Sequence, residues 1–263
     1  MPVPDSHTHL DLIGGDPEAD IAAARAVGVD RLMQVGVDLE SSRWAARLAR
    51  EQPAVLAAVA LHPNEAPRLA DLDPAALDEA LREIEGLAGD SRVRVIGETG
   101  LDYFRTGVGG RAAQEHSFRA HIAIARRTGK ALMIHDRDAH GDVLRVLDEE
   151  GAPDAVVMHC FSGDRDFAIE CVRRGFVLSY AGTVTFKNAE QLREAARVTP
   201  SGQLMVETDA PYLTPMPHRG RLNAPYLIPL TVRSLAETTG RDLDELCADI
   251  SSTGERVFGE WSP

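Results

Sequence analysis

Cysteine is scarce in this sequence, and long hydrophobic runs are missing. Its 263 residues include three cysteines, Cys160, Cys171 and Cys247, which lie far apart and form no CxxC pair. This usage argues against a disulfide framework and against a structural zinc ribbon. No stretch approaches about 18 uninterrupted apolar residues, and the first residues lack the basic and apolar regions of a secretory leader. We therefore expect a cytoplasmic protein that does not bind membranes.

Positive charge is also in short supply. The chain has 28 Lys and Arg residues against 41 Asp and Glu residues, which gives a formal net charge of −13. A protein that coats long stretches of phosphate backbone normally has a basic face. Any contact with nucleic acid is therefore expected to be local and mediated by metal. The chain also lacks Pro/Gly/Ser-rich linkers and charge blocks, so residues 1–263 are predicted to form a single domain.

Short β-rich runs recur along the whole sequence, separated by segments of helical period such as Ser41–Glu51 and Gln114–Arg127. The runs are Val3–Leu10, Val29–Val37, Ala54–His62, Arg92–Leu101, Ala131–His135, Ala155–Phe161, Phe176–Ala181 and Leu204–Thr208. Gly28, Gly129, Gly151 and Gly175 precede strands and are predicted to end helices. Alternating strands and helices favour parallel pairing, and eight such units in this length predict an α/β fold of the (β/α)8 TIM-barrel class. A doubly wound sheet usually has a glycine-rich turn after its first strand, whereas this one ends in His-Thr-His.

Residues with the chemistry of metal ligands collect at the C-terminal ends of these runs, where barrels carry their catalytic groups. Six of them are four imidazoles and two carboxylates: His7, His9, Glu98, His135, His159 and Asp209. The histidines of the first strand are two residues apart, so they point to the same face. That pair alone is equally consistent with hydrogen-bonded core histidines. Six ligands exceed the three or four that one catalytic ion takes, so the sequence predicts a two-metal site.

The two carboxylates have predicted catalytic roles. Glu98 comes from the strand between the two groups of histidines and is expected to bridge the ions; a surface turn residue is the alternative. Asp209 is expected to bind a metal and to accept a proton from a water whose pKa the ions lower towards about 7. A turn-initiating aspartate before Pro211 is the alternative for Asp209. Asp5 and Glu207 share strand parity with the ligands and are predicted to support them from deeper positions by hydrogen bonds.

Other polar residues near the strand ends are candidate substrate contacts. His62 could contact substrate or be an ordinary loop histidine. Tyr103 and Arg105, which flank Phe104 after the fourth strand, could hold a base or a sugar, since aromatic faces stack on unpaired bases. Arg219 lies in the proline-rich loop after the last strand, where an arginine can bind phosphate; a plain surface loop is the alternative.

Ordered motifs along the whole chain resemble the TatD family of metal-dependent hydrolases, usually described as deoxyribonucleases. The matching segments are Asp5–Asp11, Gly97–Asp102, Ile134–Ala139, Met158–Gly163 and Glu207–Leu213, followed by His218-Arg-Gly220 and Asn223. The resemblance implies a TIM barrel that binds two divalent cations and hydrolyses phosphodiesters, commonly from the 3′ end of DNA, with the six ligands named above. Asn64 and Thr253 depart from the family pattern, and neither is a proposed ligand.

The leading hypothesis is therefore a metal-dependent phosphodiester hydrolase, a 3′-5′ exodeoxyribonuclease that acts on single-stranded DNA ends and also on RNA. Two divalent ions would activate a water, with Asp209 as the general base; Mg or Mn are the expected assay metals, and Zn, Fe or Ni fit the mixed imidazole and carboxylate ligands as bound ions. The expected state is a monomer without an obligate protein partner.

Two alternatives belong to other classes. The first is an amidohydrolase-type barrel that hydrolyses an amide, ester or lactone, against which Glu98 weighs because related barrels often place a carbamylated lysine there. The second is a metal-stabilised binding protein without turnover, against which the complete ligand set weighs.

Overall fold

A computed structural model describes residues 2–261 of the chain. Its eight parallel strands are hydrogen-bonded to one another in sequence order, from β1 to β8. Their bounds are β1 Val3–Thr8, β2 Val29–Val35, β3 Val55–Val59, β4 Val93–Asp102, β5 Ala131–Arg137, β6 Val156–Met158, β7 Val177–Tyr180 and β8 Leu204–Val206. Thr8, at the end of β1, forms a further parallel bridge to Ala210, beyond β8.

Helices follow every strand. They are α1 Leu10–Ile13, α2 Pro17–Ala26, α3 Leu39–Glu51, α4 Glu65–Leu72, α5 Pro74–Leu87, α6 Arg111–Thr128, α7 His140–Glu150, α8 Arg165–Arg173, α9 Glu190–Val198, α10 Ile228–Thr239 and α11 Leu243–Phe258. Short 3-10 turns occur at Val108–Gly110, Gly182–Thr185 and Pro225–Leu227. Each helix of the described chain is too short or too polar to cross a lipid bilayer.

This strand order and alternation confirm the predicted (β/α)8 barrel class. Each of the eight predicted runs overlaps a strand; six strands end before the predicted run does, and β4 and β5 extend past it. The sequence analysis did not predict α1 and α4, which are short helices directly after His9 and Asn64.

The chain divides into two compact units. The first contains the residues up to Gln34, Pro53–Val55 and the chain from Cys160 onwards; the second contains Val35–Gln52 and Leu56–His159. In the first unit, β1 pairs with β2 and β7 pairs with β8, and fully buried Leu32, Leu178 and Met205 lie in these strands. In the second unit, β4 pairs with β3 and β5, and α6 packs on them through buried Phe118 and Ile122. The single domain over residues 1–263 stays a prediction.

Local sequence signals set the helix ends. The Asp38 side chain accepts a hydrogen bond from the Ser41 backbone at the start of α3, and the Ser41 side chain completes the reciprocal cap. Gly129 ends α6 in the left-handed conformation, with φ of 64°. The three other predicted helix stops, Gly28, Gly151 and Gly175, also have positive φ. These predicted stops are therefore confirmed.

One glycine is required where β4 lies against β5. Gly100 pairs with His135 and has φ of 134°, a conformation that side chains rarely adopt. A Cβ atom at this position would lie 2.2 Å from the carbonyl oxygen of His135. The backbone atom that would clash belongs to the strand that carries His135, so the clash cannot be relieved by a side-chain rotation.

The substitution Gly100→Ala is expected to lower the free energy of unfolding by more than about 2 kcal/mol, because the added methyl group meets backbone and the φ angle becomes strained. Denaturant unfolding followed by circular dichroism measures this change. Gly86→Ala in α5 is the matched control: nothing lies within 4 Å of its added Cβ, and it is expected to be neutral or to stabilise by up to about 1 kcal/mol. Equal stability of the two variants would contradict the role assigned to Gly100.

A buried histidine links α6 to the residue that follows β3. Nε2 of His121 accepts a hydrogen bond from the Leu61 backbone at 3.1 Å, and Nδ1 lies 2.7 Å from the Ser117 carbonyl oxygen, to which it donates. Burial lowers the pKa of His121 from 6.5 to about 4. The folded protein therefore holds this imidazole neutral, which agrees with the packing role that its helical position suggests.

Because the pKa of His121 is lower in the folded chain than in the unfolded chain, its contribution to stability is present above pH 6.5 and is lost as the pH falls towards 4. The expected total loss is about 3 kcal/mol. Unfolding free energies of wild type and His121→Asn, measured across this pH range, should show a shallower slope for the variant. His116→Asn, at an exposed histidine paired with Asp78, is the control, and a wild-type slope in His121→Asn would refute the assignment.

Candidate metal centre

The first unit brings together three of the predicted ligands. The Nε2 atoms of His7 and His9 lie 3.1 Å apart. The Oδ1 atom of Asp209 lies 3.7 Å from Nε2 of His7 and 3.5 Å from Nε2 of His9. Both histidines are buried, while the Asp209 side chain keeps 16% of its surface exposed. Two imidazoles and one carboxylate therefore converge on a single point.

A second carboxylate holds this set in place. Buried Asp5 accepts hydrogen bonds from the backbone N–H of His7 at 3.2 Å, from the backbone N–H of Thr208 at 2.9 Å and from the Thr208 hydroxyl at 2.6 Å. The Asp209 N–H in turn donates to the His7 carbonyl at 2.9 Å. Asp5 thus ties the start of the chain to the segment after β8 through backbone groups. Strand parity predicts that Asp5 supports a ligand imidazole by hydrogen bonding. Parity alone does not distinguish the imidazole ring of His7 from its backbone N–H, which is the actual donor.

Asp5 and Glu207 are both buried carboxylates, and they contact different parts of the chain. Burial raises the pKa of Asp5 to about 7, although the hydrogen bonds from Thr208 and His7 oppose the rise and the nearby Glu207 charge adds to it. Glu207 is itself fully buried, and its Oε1 accepts a hydrogen bond from the Cys160 backbone at 2.8 Å. Glu207 therefore fixes the residue that directly follows His159. Both carboxylates act on backbone beside predicted ligands.

The second unit assembles a different set around Glu98. Its Oε2 atom lies 2.9 Å from Nε2 of His159, 3.1 Å from Nδ1 of His135 and 3.9 Å from Nε2 of His62. Glu98 and His159 are buried, and the other two imidazoles are half-buried. The rings of His62 and His135 are 4.6 Å apart at their centroids. His62, predicted only as a substrate contact, thus lies among the candidate metal ligands of this unit.

Asp102 and Asn64 support this second set. The Oδ2 atom of Asp102 lies 3.5 Å from Nε2 of His135 and accepts a hydrogen bond from the Asn64 side chain at 3.0 Å. The Asn64 backbone also donates to Nδ1 of His62 at 3.0 Å. Although burial raises it, the pKa of Asp102 is held below its usual range by the nearby His135 imidazole and by hydrogen bonds from the Arg105 backbone and the Asn64 side chain.

The pKa values of His62 and His135 shift in opposite directions. Burial lowers the pKa of His62 to about 4, and the positive charge of His135 contributes to the change. Burial also disfavours a charged His135, but its contacts with Asp102 and Glu98 outweigh that effect and raise its pKa.

The donor chemistry fits divalent cations. Two imidazole nitrogens 3.1 Å apart must share either a proton or a cation, because two lone pairs at that distance repel each other. In the other unit, Nε2 of His135 is a buried atom without a hydrogen bond of good geometry within the described chain, and its ring lies against a buried carboxylate. Imidazole and carboxylate donors together suit zinc, manganese, iron or nickel. The residues present therefore fit metal binding in both units.

Tyr103 and Arg105, two of the predicted substrate contacts, lie on the turn after β4. The Tyr103 hydroxyl donates to Asp142 at 2.8 Å, and the Arg111 guanidinium covers its ring at 3.7 Å. Burial, together with the hydrogen bond to Asp142, raises the pKa of Tyr103 to about 12. Tyr103 is thus occupied by contacts within the chain, whereas the Arg105 side chain is exposed.

In the first unit, the exposed Arg219 stacks over the ring of Phe186 at 4.3 Å. The loop that carries Arg219 is held by Asn223, whose side-chain amide donates to the carbonyl groups of Thr208 and Tyr212 at 2.8 and 2.6 Å. The predicted phosphate-binding arginine therefore lies on a loop that is tied to the residue next to Asp209.

Sequence reasoning missed three residues that position the site. Asp102 and Asn64 hold His135 and His62, and Thr208 holds Asp5. Asp102 closes a motif that the sequence analysis quoted, and Asn64 was noted there as a departure, so a signal existed for both. Nothing in the sequence around Thr208 indicates its partner, which lies 203 positions away in the chain.

Relatives of known sequence match nearly the whole chain. A protein from Mycobacterium tuberculosis described as an uncharacterized metal-dependent hydrolase TatD is 47% identical and is aligned over 97% of both chains. A protein from Citrobacter rodentium described as a 3'-5' ssDNA/RNA exonuclease TatD is 34% identical over 93% of this chain and 92% of its own.

Solved structures show the same fold. The crystal structure of the TatD homologue YJJV from Escherichia coli K12 superposes with a TM-score of 0.88, at 24% sequence identity, and 98% of each chain is covered. The family described as TatD related DNase matches residues 4–259. This match and the relatives confirm the resemblance drawn from the motifs, and the chain belongs to the TatD-related DNase family of metal-dependent hydrolases.

Proposed function

We propose that this protein is a two-metal 3′-5′ exonuclease that removes nucleotides from single-stranded DNA ends and also acts on RNA. The observation that carries the proposal is the pair of donor sets: His7, His9 and Asp209 in one unit, and Glu98, His135 and His159 in the other. Each set has the three protein donors that one catalytic ion requires. The exonuclease description of the Citrobacter rodentium relative supports the choice of substrate.

Glu98 and Asp209 have different proposed roles in the reaction. When bound, the divalent ions would supply Lewis acidity to a phosphoryl oxygen and lower the pKa of the attacking water. Glu98, buried within β4, is the proposed shared ligand. Asp209 is more exposed than its histidine neighbours, so its carboxylate has access to solvent and can accept the proton of the attacking water.

Substrate binding follows from the charge distribution. Because the chain carries a formal charge of −13, a polyanion needs local cationic contacts. Arg105 and Arg219 are exposed, and neither guanidinium forms an ion pair with a described residue. They are the proposed phosphate contacts. A monomeric state and a cytoplasmic location belong to the same proposal.

Incubation of a 3′-labelled and a 5′-labelled single-stranded oligonucleotide with Mg or Mn tests this function. We expect a ladder of shortening from the 3′ end that disappears with chelator. Asp209→Asn is expected to reduce the rate by at least about a hundredfold because it removes the proton acceptor. Circular dichroism should show that the variant is folded. Unchanged activity of Asp209→Asn would remove its role, and the absence of cleavage under all metals would redirect the search to amides, esters or lactones.

Metal content tests the two donor sets separately. After equilibration with Mn or Zn, wild type is expected to hold two ions per chain by mass spectrometry of the dialysed protein. His7→Ala/His9→Ala and His135→Ala should each lose about one ion, because each removes donors from a different set. His116→Ala, on the surface of α6, should retain both. A single ion per wild-type chain would contradict the two-metal proposal.

A further inference from the structure

Phe104 is an aromatic side chain that is exposed to solvent. It follows β4 directly, and 64% of its surface is exposed. The guanidinium of Arg137 lies over its ring, with the central carbon 3.9 Å from the ring centroid. The cation–π contact holds one face of the ring, and the exposed remainder of the ring is open to a ligand.

The Arg137 guanidinium has no anionic partner among the described residues. Arg137 ends β5, two positions after His135, so both side chains leave the strand on the same side about 6.6 Å apart along it. Within the described chain no carboxylate forms an ion pair with Arg137, whereas Arg119, Arg145 and Arg193 each have one. Its N–H groups at the edge of the plane are therefore available for a phosphate, while its face is fixed by the ring.

The turn that presents Phe104 is anchored on both sides. Its neighbours are bound by backbone hydrogen bonds: the Tyr103 N–H donates to the Arg137 carbonyl at 2.9 Å, and the Arg105 N–H donates to the Asp102 carboxylate at 2.8 Å. Asp102 also lies against His135. The position of the ring is thus fixed relative to the ligands of the second unit, and little ordering would be required when a base binds.

We propose that Phe104 and Arg137 form a nucleotide subsite, in which an unpaired base stacks on the free face of Phe104 and the adjacent phosphate pairs with Arg137. The inference rests on the proposed function, because it deepens how that same centre recognises single-stranded nucleic acid. It replaces Tyr103 as the stacking residue, since the Tyr103 ring is covered by Arg111 and its hydroxyl is bound to Asp142. Stacking of this kind is tolerant of base identity.

Binding in the Asp209→Asn background tests the subsite without cleavage. The probe is a 5′-fluorescein-labelled oligo-dT of ten nucleotides with Mg, and the readout is fluorescence anisotropy. Phe104→Ala is expected to weaken binding roughly tenfold through the loss of one stacked base, whereas Phe104→Tyr should restore it. Leu72→Ala, which removes another exposed apolar side chain of the same unit, is the control and should bind like its parent.

An abasic scan separates stacking from a general structural effect. A single abasic nucleotide is moved along the oligonucleotide, and each position is measured with and without Phe104→Ala. The subsite predicts one position at which the two proteins bind equally, because the base that Phe104 would stack on is already missing. A tenfold defect that persists at every position, or no defect with the intact strand, would overturn the proposal.

Salt dependence tests the phosphate contact of Arg137. Arg137→Gln is expected to reduce the slope of log K against log salt by about 0.7, the value for one phosphate on a single strand. Phe104→Ala should leave that slope unchanged. An unchanged slope in Arg137→Gln would overturn the assignment of Arg137.

Failure of the subsite can be told apart from failure of the proposed function. In Phe104→Ala, KM for the oligonucleotide is expected to rise about tenfold with kcat little changed, while Leu72→Ala should keep the wild-type KM. If wild type does not cleave the oligonucleotide, the proposed function fails. If wild type cleaves oligonucleotides and Phe104→Ala matches its KM, the subsite alone is overturned.

Discussion

Parallel pairing between consecutive strands is the constraint on which the rest of this structure depends. Because the strands run in one direction and pair in sequence order, residues that are distant in the chain meet at the same end of the sheet. The β4–β5 ladder places Gly100 opposite His135 and Asp102 opposite Arg137. His135 and Asp102 are therefore positioned by the backbone hydrogen bonds of this ladder.

Burial of these histidines and carboxylates then determines which charge states they favour. Histidines and carboxylates at the strand ends have lost most of their water, which is costly unless each charge is balanced. In the first unit, backbone N–H groups and a threonine stabilise Asp5, yet its pKa still rises to about 7. In the second unit, Glu98 is surrounded by imidazoles within 3.9 Å. Opposite charges from cations are the natural complement to such an arrangement, which is why metal binding and folding of these residues belong together.

The strands and the candidate ligands could both be predicted from the sequence because both leave a local signal. Alternating β-rich runs and glycine stops gave all eight strands, and polar residues at their ends identified His7, His9, Glu98, His135, His159 and Asp209 as candidate ligands. Partners that depend on tertiary geometry left no such signal. Asp5 accepts hydrogen bonds from two backbone N–H groups and the Thr208 hydroxyl instead of an imidazole, and His62 lies against Glu98. The choice of Phe104 over Tyr103 as the exposed ring required knowledge of where Arg111 and Arg137 lie.

The candidate functional residues of the second unit lie on two kinds of element, strands and a turn. Glu98 and His135 are held within strands, whereas Phe104 is carried by a turn whose ends are fixed by Asp102 and by the Arg137 carbonyl. A change of length or composition between these anchor points would alter what the turn presents to a ligand while the strands keep their register. Substitutions in this turn can therefore change which ligand is recognised while the candidate metal ligands keep their positions. For the same reason, new turn sequences could be engineered between Asp102 and Gln114.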